Sequence, residues 1–434
     1  MDFLLSIANW LAQNIINNPA LLIGLIAFIG LLAQKKGFSD VVLGTLKTIV
    51  GFMILQQGAG VVVGALLGFD PLIQGVFGLE SAGIGGGASL DDFVALHGGN
   101  AALIMTFGFL VNVLLARVTK FKYIYLTGHL MYWVALLMAA VLLEVNPGAS
   151  QLMIVVVGSV VCGLYWTFQP AYVHSRMKKV TGTDAIAYGH TSSLNAWLAS
   201  ILGKYVGKPE QSTEEAKLPK GLEFFRDITA GSAFMVGGLL LIITIFGLIL
   251  GNSGTATIGE AATYMLTDGL LSGLSFAVGI TILLFGVRMV IAEIVPAFRG
   301  FALKIVPDAK PALDCPVVFD YAPTAVVFGF LSATVAFFVL MILFGPIMGW
   351  VFIAPPFIQL FFPGGAAGVF GNSTGGTKGA ILGGALLGIF MAVGMALITP
   401  MLSNTAPELI WIGDPDWMVL VLIFKPIFSL LFGG

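Results

Sequence analysis

The chain has 434 residues, of which 58% are hydrophobic and only 10% are Asp, Glu, Lys or Arg. Soluble domains carry roughly 25% charged residues, so this composition excludes a soluble globular protein. The 20 basic and 22 acidic residues nearly balance, which leaves no basic surface for nucleic acid. The apolar residues suffice for about a dozen membrane spans of about 20 residues each.

Apolar runs predict an all-α integral membrane protein with about eleven transmembrane helices in two inverted repeats with re-entrant hairpins. In chain order the predicted spans are 19–33, 41–67, 100–116, 123–144, 152–170, 229–251, 269–295, 324–344, 348–362, 380–399 and 417–432. The shorter or more polar segments are 1–17, 71–98, 186–203 and 364–379. Irregular backbone is tolerated at membrane depth only inside protein or beside a wet cavity, so these segments are candidates for re-entrant hairpins or walls of a binding site.

Lys and Arg occur in alternate connections, and this predicts the orientation of the spans. The longest loop, 204–228, carries five basic residues, whereas the connections at 145–151 and 252–268 carry none. The loop is therefore predicted to be cytoplasmic and the N-terminus to lie outside, with no removable signal peptide. Segments 71–98 and 186–203 must then each enter and leave the membrane on the same side.

An internal repeat is visible in the apolar runs. GFMILQQG at 51–58 and GITILLFG at 279–286 share glycines seven residues apart, and NAALIMTFGF ending at Phe109 resembles APTAVVFGF ending at Phe330. In the predicted orientation, the two spans that contain 51–58 and 279–286 cross the membrane in opposite directions. The repeat is therefore predicted to be inverted. Inverted repeats are typical of transporters, whose site lies near the membrane midplane between the halves.

The repeat predicts a division of the chain into two halves. The first half is 1–203, with spans 1–5, the first hairpin and the segments of His129 and His190. Residues 204–228 form a cytoplasmic linker, and 229–434 form the second half, with spans 6–11 and the second hairpin.

Two of the four histidines lie within apolar segments, each directly after a glycine. These are His129 and His190, after Gly128 and Gly189. An ionisable group inside a membrane is costly to bury, so both are candidate functional residues. An intramembrane enzyme that uses them as acid and base or as metal ligands is a remaining alternative.

Four further charged residues need a partner or a function. Asp314 and Asp320 lie among prolines that prevent a continuous helix, so Asp314 either caps a broken helix or binds a ligand. Arg288 and Glu293 near one end of span 269–295 are predicted to form a structural ion pair.

The remaining polar candidates are amides and an acid. Gln56 and Gln57 lie in the middle of span 41–67, either as hydrogen-bonding contacts between helices or as ligands, and Asp91 lies in the first broken segment. The sequence has no HExxH or Walker pattern, so we expect no catalytic residue, metal ion or cofactor. The glycine-rich stretch 364–376 predicts a tight hairpin rather than a phosphate loop.

Several motifs resemble those of one known family. They are LGTLKTIVGFMILQQGAG (43–60), IYLTGHLMY (124–132), AYGHTSSLNAWLA (187–199), LPKGLEFFRD (218–227), FGVRMVIAEIVPAF (285–298), ALDCPVVFDYAPTAVVFGF (312–330) and GVFGNSTGG (368–376). The chain is similar to enzyme IIC, the membrane subunit of the ascorbate-type sugar phosphotransferase system, within the ascorbate/galactitol superfamily.

The resemblance implies a homodimeric, multi-pass permease in the bacterial inner membrane, surrounded by lipid. In this family a V-shaped dimerisation part and a substrate core are interleaved in both halves. An elevator-like motion of the core carries the sugar inward. A separate IIB protein with a phosphocysteine, supplied by IIA, then phosphorylates the sugar. The chain itself would be a non-catalytic permease component that binds no nucleic acid.

The resemblance also implies site residues. His129, His190 and Asp314 match the family's motif, and Thr191 occupies the place next to the second histidine. Trp133 and the run from Thr191 to Ser193 stand where ascorbate members have glutamines. The predicted substrate-binding residues are therefore His129, His190, Thr191, Asp314, Gln56, Gln57, Trp133, Ser192 and Asp91. These replacements leave the sugar or sugar acid open. An ion-coupled transporter without IIB, using Asp314 or Asp320, is the alternative function.

Overall fold

A computed structural model describes residues 18–67, 89–215, 227–250, 269–351 and 353–433, together with residues 220, 221, 223 and 267. The helices of these ranges are α1 (Pro19–Ala33), α2 (Phe38–Leu67), α3 (Leu90–Val118), α4 (Gly128–Val145), α5 (Gln151–Thr181), α6 (Ser193–Val206), α7 (Ile228–Leu250), α8 (Leu270–Lys304), α9 (Pro323–Ile342), α10 (Phe357–Ile398) and α11 (Pro415–Phe432). Eight helical segments of the described chain are long and apolar enough to cross a membrane. The predicted helical membrane architecture is thereby confirmed.

One predicted span differs from the structure, and one predicted segment lies mostly outside the described residues. The separate span at 348–362 is wrong, because residues 349–351 and 353–356 have no regular structure and α10 begins only at Phe357. Pro355 and Pro356 lack the backbone donors that a helix needs there. Most of predicted segment 71–98 lies outside the described residues, and its last part is the first turns of α3.

The two glycine motifs of the predicted repeat pack against each other. A Cβ atom on Gly58 would lie 2.3 Å from the backbone nitrogen of Leu283, and one on Gly286 would lie 2.3 Å from that of Leu55. These pairs show that α2 and α8 run antiparallel with their backbones in contact, as small residues allow in membranes. The inverted relation of the two halves stays a prediction.

Helix α10 contains a reversal of the chain. Gly376 has φ of +57° and ψ of −147°, a conformation open to glycine, and it separates two helical arms. The arms are antiparallel, because Gly371 faces Gly379 and Gly383 faces Ala367 across the pair. The tip touches the linker, where a Cβ on Gly376 would lie 2.2 Å from the carbonyl oxygen of Gln211. Stretch 364–376 therefore leads into a hairpin, as the sequence indicated.

The predicted pair of Arg288 and Glu293 is wrong. Nε of Arg288 donates to both carboxylate oxygens of Asp320 at 3.0 Å, and its Nη2 donates to one of them as well. Glu293 lies 3.5 Å from Nζ of Lys47 on α2 instead. Five residues along a helix correspond to a rotation of about 140°, so the two side chains point to different neighbours.

A small parallel sheet lies inside the helical bundle. Its strands are β1 (Tyr123–Tyr125), β2 (Ala187–Tyr188) and β3 (Lys310–Leu313), with β3 in the middle. Tyr125 and Ala187 both pair with Ala312, so the three strands share one register. No strand is predicted from the sequence at these positions.

Buried amide side chains complete the hydrogen bonds of the sheet's two edges. Asn112 of α3 donates to the carbonyl oxygen of Tyr123 and accepts from the backbone nitrogen of Tyr125, both at 3.0 Å. On the other edge, Gln169 of α5 donates to the carbonyl oxygen of Tyr188 at 3.2 Å. Strand edges without water need such partners, because an unpaired backbone group is costly in a membrane protein.

Candidate functional site

The carboxyl ends of the three strands meet at one place and carry the predicted site residues there. His129 lies four residues after β1 in the first turn of α4, His190 follows β2, and Asp314 directly follows β3. Because parallel strands present their carboxyl ends at the same edge of a sheet, the topology brings these side chains together. Ligands commonly bind beyond such an edge in parallel sheets.

Asp314 lies between the two histidines. Its Oδ2 is 3.7 Å from Nε2 of His129, and its Oδ1 is 3.6 Å from Nε2 of His190. The His129 side chain is 46% exposed, whereas those of His190 and Asp314 are 5% and 13% exposed. The cluster is therefore open on the side of His129 and closed on the side of His190. A ligand would reach His129 and Asp314 first.

Asp314 also has the capping role that the sequence allowed. Its Oδ1 accepts from the backbone nitrogen of Cys315 at 2.7 Å, at the start of a 3₁₀ helix over Cys315–Tyr321. One oxygen is thus shared between the cap and His190, and the other faces His129. The carboxylate is held in place by the backbone while it remains within reach of both imidazoles.

The turn after β2 is buried. Nδ1 of His190 accepts from the backbone nitrogen of Ser192 at 3.1 Å, and the Ser192 hydroxyl lies 2.9 Å from both Nδ1 and the hydroxyl of Tyr188. The Thr191 side chain is fully buried, and its hydroxyl donates to Asp414. Ser192 therefore contacts the cluster directly, and Thr191 points away from it towards α11.

Four other predicted residues lie apart from this cluster. Trp133 is half-buried one helical turn after His129 and packs edge-on against Tyr132, with ring centroids 5.5 Å apart. Gln56 and Gln57 are exposed on α2, and Asp91 is exposed in the first turn of α3. In the described part of the chain, no hydrogen bond joins these three to the histidines. Their part in binding stays a prediction.

Sequence reasoning missed two buried carboxylates. Asp414 and Asp416 flank Pro415 at the start of α11 and are only 5% and 4% exposed. Nδ1 of His190 lies 3.7 Å from Asp414. The signal was the Asp-Pro-Asp sequence before the last span, which reads as an ordinary helix start at a membrane boundary. Their burial beside a residue far away in sequence could not be seen in that pattern.

Potential metal ligands occur at the same place. Donor atoms of His190, Asp314 and Cys315 lie within 4.8 Å of one another. An imidazole, a carboxylate and a thiol together suit a transition metal such as zinc. Asp314 is already bound to a backbone nitrogen and faces two imidazoles, so the same atoms also suit a ligand with hydroxyl groups.

A second polar cluster lies at the opposite end of the sheet. Nζ of Lys310, at the start of β3, donates to Asp184 at 2.8 Å and lies 3.2 Å from Nε2 of His174. These contacts lower the pKa of Asp184 to about 2. A cavity of about 400 Å³ opens here beside Arg299. It lies beyond the amino end of β3, away from the cluster of His129, His190 and Asp314.

Comparisons with known proteins agree on one family. The sequence model of the family described as the sugar-specific permease component of the PTS system, EIIC-GAT, matches residues 14–416. The chain is also 29% identical, over 456 aligned residues, to a protein of Mycoplasma pneumoniae named the ascorbate-specific PTS system EIIC component. That alignment covers 93% of this chain and 68% of the relative.

Proposed function

Because the chain belongs to the EIIC-GAT family of sugar-specific PTS permeases, we propose that it carries ascorbate or a related sugar or sugar acid into the cell. It is a multi-pass membrane protein with eight apolar helical segments of spanning length in its described part. The proposed substrate class comes from the Mycoplasma pneumoniae relative, which is named as ascorbate-specific. Phosphorylation by a separate IIB protein, supplied by IIA, belongs to the same proposal, as do the homodimer and the bacterial inner membrane.

The observation that carries this proposal is the position of Asp314 between two imidazoles. A neutral imidazole offers one donor and one acceptor, and a carboxylate offers acceptors only. A sugar with neighbouring hydroxyl groups can donate to the carboxylate and exchange hydrogen bonds with His129. The exposure of His129 gives such a ligand a way in, while the burial of His190 keeps water from its side of the cluster.

The arrangement of helices supports an elevator-like motion. Helices α1, α2, α7 and α8 pack mainly on one another, and α9 and α6 pack along the α10 hairpin. The first group combines helices from both halves of the chain, as expected for a V-shaped dimerisation part. The second group, with α4, carries the His and Asp cluster. We infer that the second group moves against the first with the sugar bound.

Specificity within this class depends on the side chains near His129. Thr191 occupies a fully buried site and is bonded to Asp414, so a glutamine at this position would lack room. Trp133 lies on the same helical face as His129, one turn away. We therefore expect Trp133→Gln, and not Thr191→Gln, to shift the preference towards ascorbate. Dissociation constants for ascorbate, pentitols, hexitols and sugar acids from thermal-shift titration measure this.

The ion-coupled alternative needs a carboxylate that is free to bind the coupling ion. Asp320 is held by both Nε and Nη2 of Arg288, and Asp314 caps a helix. Both named candidates therefore already have partners. This observation favours coupling by phosphorylation.

The test uses inverted membrane vesicles that contain the full chain and enclose the sugar, with purified IIA, IIB and the soluble proteins that pass the phosphoryl group from phosphoenolpyruvate to IIA added outside. We expect sugar phosphate to form only with phosphoenolpyruvate present, and we expect His129→Ala and His190→Ala to reduce its formation at least tenfold. The matched control is His97→Ala, which removes an imidazole from α3 outside the cluster. Accumulation of unmodified sugar driven by an ion gradient, without IIB, would overturn the proposal. Normal activity of both histidine variants would overturn the site.

A further inference from the structure

The turn that follows His190 is held by a segment more than two hundred residues away in sequence. The backbone nitrogen of Asp416 donates to the carbonyl oxygen of Thr191 at 2.8 Å. In return, Oδ1 of Asp416 accepts from the backbone nitrogen of Leu194 at 3.1 Å, and Oδ2 accepts from the Ser193 hydroxyl at 2.6 Å. Three hydrogen bonds thus join Asp416, in the first turn of α11, to the four-residue turn 191–194.

The carboxylate of Asp416 is satisfied without a cation. Besides the two bonds from the turn, Oδ2 accepts from the hydroxyl of Tyr165 on α5 at 2.8 Å. Three donors to a carboxylate that is 4% exposed can compensate for its burial. Asp414 is tied to the same turn, because it accepts from the hydroxyl of Thr191. Asp414, which directly precedes α11, and Asp416, in its first turn, therefore both bond to the turn.

The conformation of this turn determines the tautomer of His190. The backbone N–H of Ser192 donates to Nδ1 at 3.1 Å, and an imidazole nitrogen accepts a hydrogen bond only when it carries no proton. Neutral His190 must then carry its proton on Nε2, the atom that faces Asp314 at 3.6 Å. Partners of one ring nitrogen set the function of the other in this way.

We propose that Asp416 is a positioning residue: by holding residues 191–194, it keeps the Ser192 N–H on Nδ1 and so directs the Nε2–H of His190 towards Asp314. The carboxylate touches neither Asp314 nor His129, and acts through the backbone of the turn. Its effect on sugar affinity rests on the proposed function. Its effect on the His190 tautomer rests on the hydrogen bonds alone.

The first test observes the tautomer directly. The sequence has four histidines, so protein labelled with ¹⁵N-histidine gives a small set of ring signals, and His190→Gln identifies those of His190. We expect a protonated Nε2 and an unprotonated Nδ1 in the wild type. Asp416→Asn should turn this pattern into a mixture of tautomers while the signals of His97 and His174 stay in place. Unchanged His190 signals in this variant would overturn the proposal.

The matched control is another buried carboxylate with a comparable set of donors. Glu144 accepts from Asn404 at 3.2 and 2.9 Å and from Thr405 at 2.9 Å, and its side chain is 2% exposed. Unlike Asp416 it also lies 3.6 Å from a cation, Nζ of Lys425. Glu144→Gln should therefore perturb a loop by a similar amount and leave the His190 signals unchanged. A shift of His190 in this control equal to that in Asp416→Asn would mean a general effect of destabilisation and would refute the positioning role.

A milder variant serves if Asp416→Asn does not fold. Ser193→Ala removes one of the two side-chain bonds between the turn and Asp416 and leaves the carboxylate charged. It should move the His190 signals in the same direction by less. Identical signals in Ser193→Ala and the wild type would contradict the proposal.

The second test measures sugar binding, normalised to folded protein. Loss of a residue that orients a metal-binding side chain typically weakens metal binding about 10–100-fold. By analogy we expect a rise of at least tenfold in the dissociation constant of the sugar for Asp416→Asn. The number of sites should not change. Unaltered His190 signals together with unaltered affinity would refute the role of Asp416. Altered His190 signals in a protein whose wild type binds no sugar would refute only the proposed function.

Discussion

The substitution Asn112→Leu tests whether a helix side chain replaces a missing strand at the sheet edge. Asn112 is fully buried, and its amide bonds to the backbone of Tyr123 and Tyr125 and to the hydroxyl of Thr167. Leucine has the same branched shape with larger terminal groups and no polar atom, so the substitution leaves two backbone groups of β1 without a partner. The change removes hydrogen bonds and creates little cavity.

The expected loss of stability follows from those two groups. Each buried backbone group left unpaired costs about 1–3 kcal/mol, which gives a total of about 2–6 kcal/mol. Measured hydrogen bonds between membrane helices average about 0.6 kcal/mol, and three of them would contribute about 2 kcal/mol. Both calculations place the effect at about 2 kcal/mol or more. The sheet positions His129, so sugar binding should weaken as well.

Unfolding by SDS in mixed micelles, followed by tryptophan fluorescence, measures this change. Two variants calibrate it. Gln169→Leu removes one bond to the other sheet edge and should cost about 1–3 kcal/mol. Thr106→Val removes only a bond within α3, to the carbonyl oxygen of Ala102, and should cost about 0.6 kcal/mol or less. A loss for Asn112→Leu no larger than that for Thr106→Val would refute the role of the amide at the edge.

Three further predictions concern the rest of the fold. Gly376→Ala should destabilise the protein by about 1–3 kcal/mol in the same assay, because its φ is +57°, whereas Gly64→Ala, in an open helical position, should not. A double-mutant cycle of Arg288→Ala and Asp320→Ala should give a coupling near the upper end of about 0.2–1 kcal/mol, because the pair is bidentate but exposed, and zero coupling would contradict this. Ser212→Cys should react with an impermeant maleimide only in opened cells, and labelling of intact cells would reverse the predicted orientation.

The sequence sufficed to find the centre of the candidate site. His129, His190 and Asp314 stand out because ionisable groups are rare and costly in apolar segments. The structure places an imidazole nitrogen of each histidine 3.6–3.7 Å from the Asp314 carboxylate. Their role in sugar binding stays a prediction. Their proximity could be anticipated only through the resemblance to a family, since no local pattern links positions so far apart.

The sheet and its support could not be predicted from local patterns. Strands of two to four residues are too short to show the alternation that identifies a strand. Asn112 and Gln169 look like ordinary polar residues of apolar helices, and their function depends on backbone groups of other segments. The partner of Arg288 was missed for the same reason, because Asp320 lies 32 positions later and beyond a strand.

The bonds between Asp416 and the turn after His190 have a consequence for the order of synthesis. Ser193 and Asp416 are 223 positions apart, which corresponds to roughly 11–45 s of translation at about 5–20 residues per second. During that interval the ribosome has already released the turn but has not yet made the residue that holds it. The nascent protein therefore passes through a stage in which most helices exist and the His190 turn has no fixed geometry. Completion of the binding site is one of the last events in the biogenesis of this membrane protein.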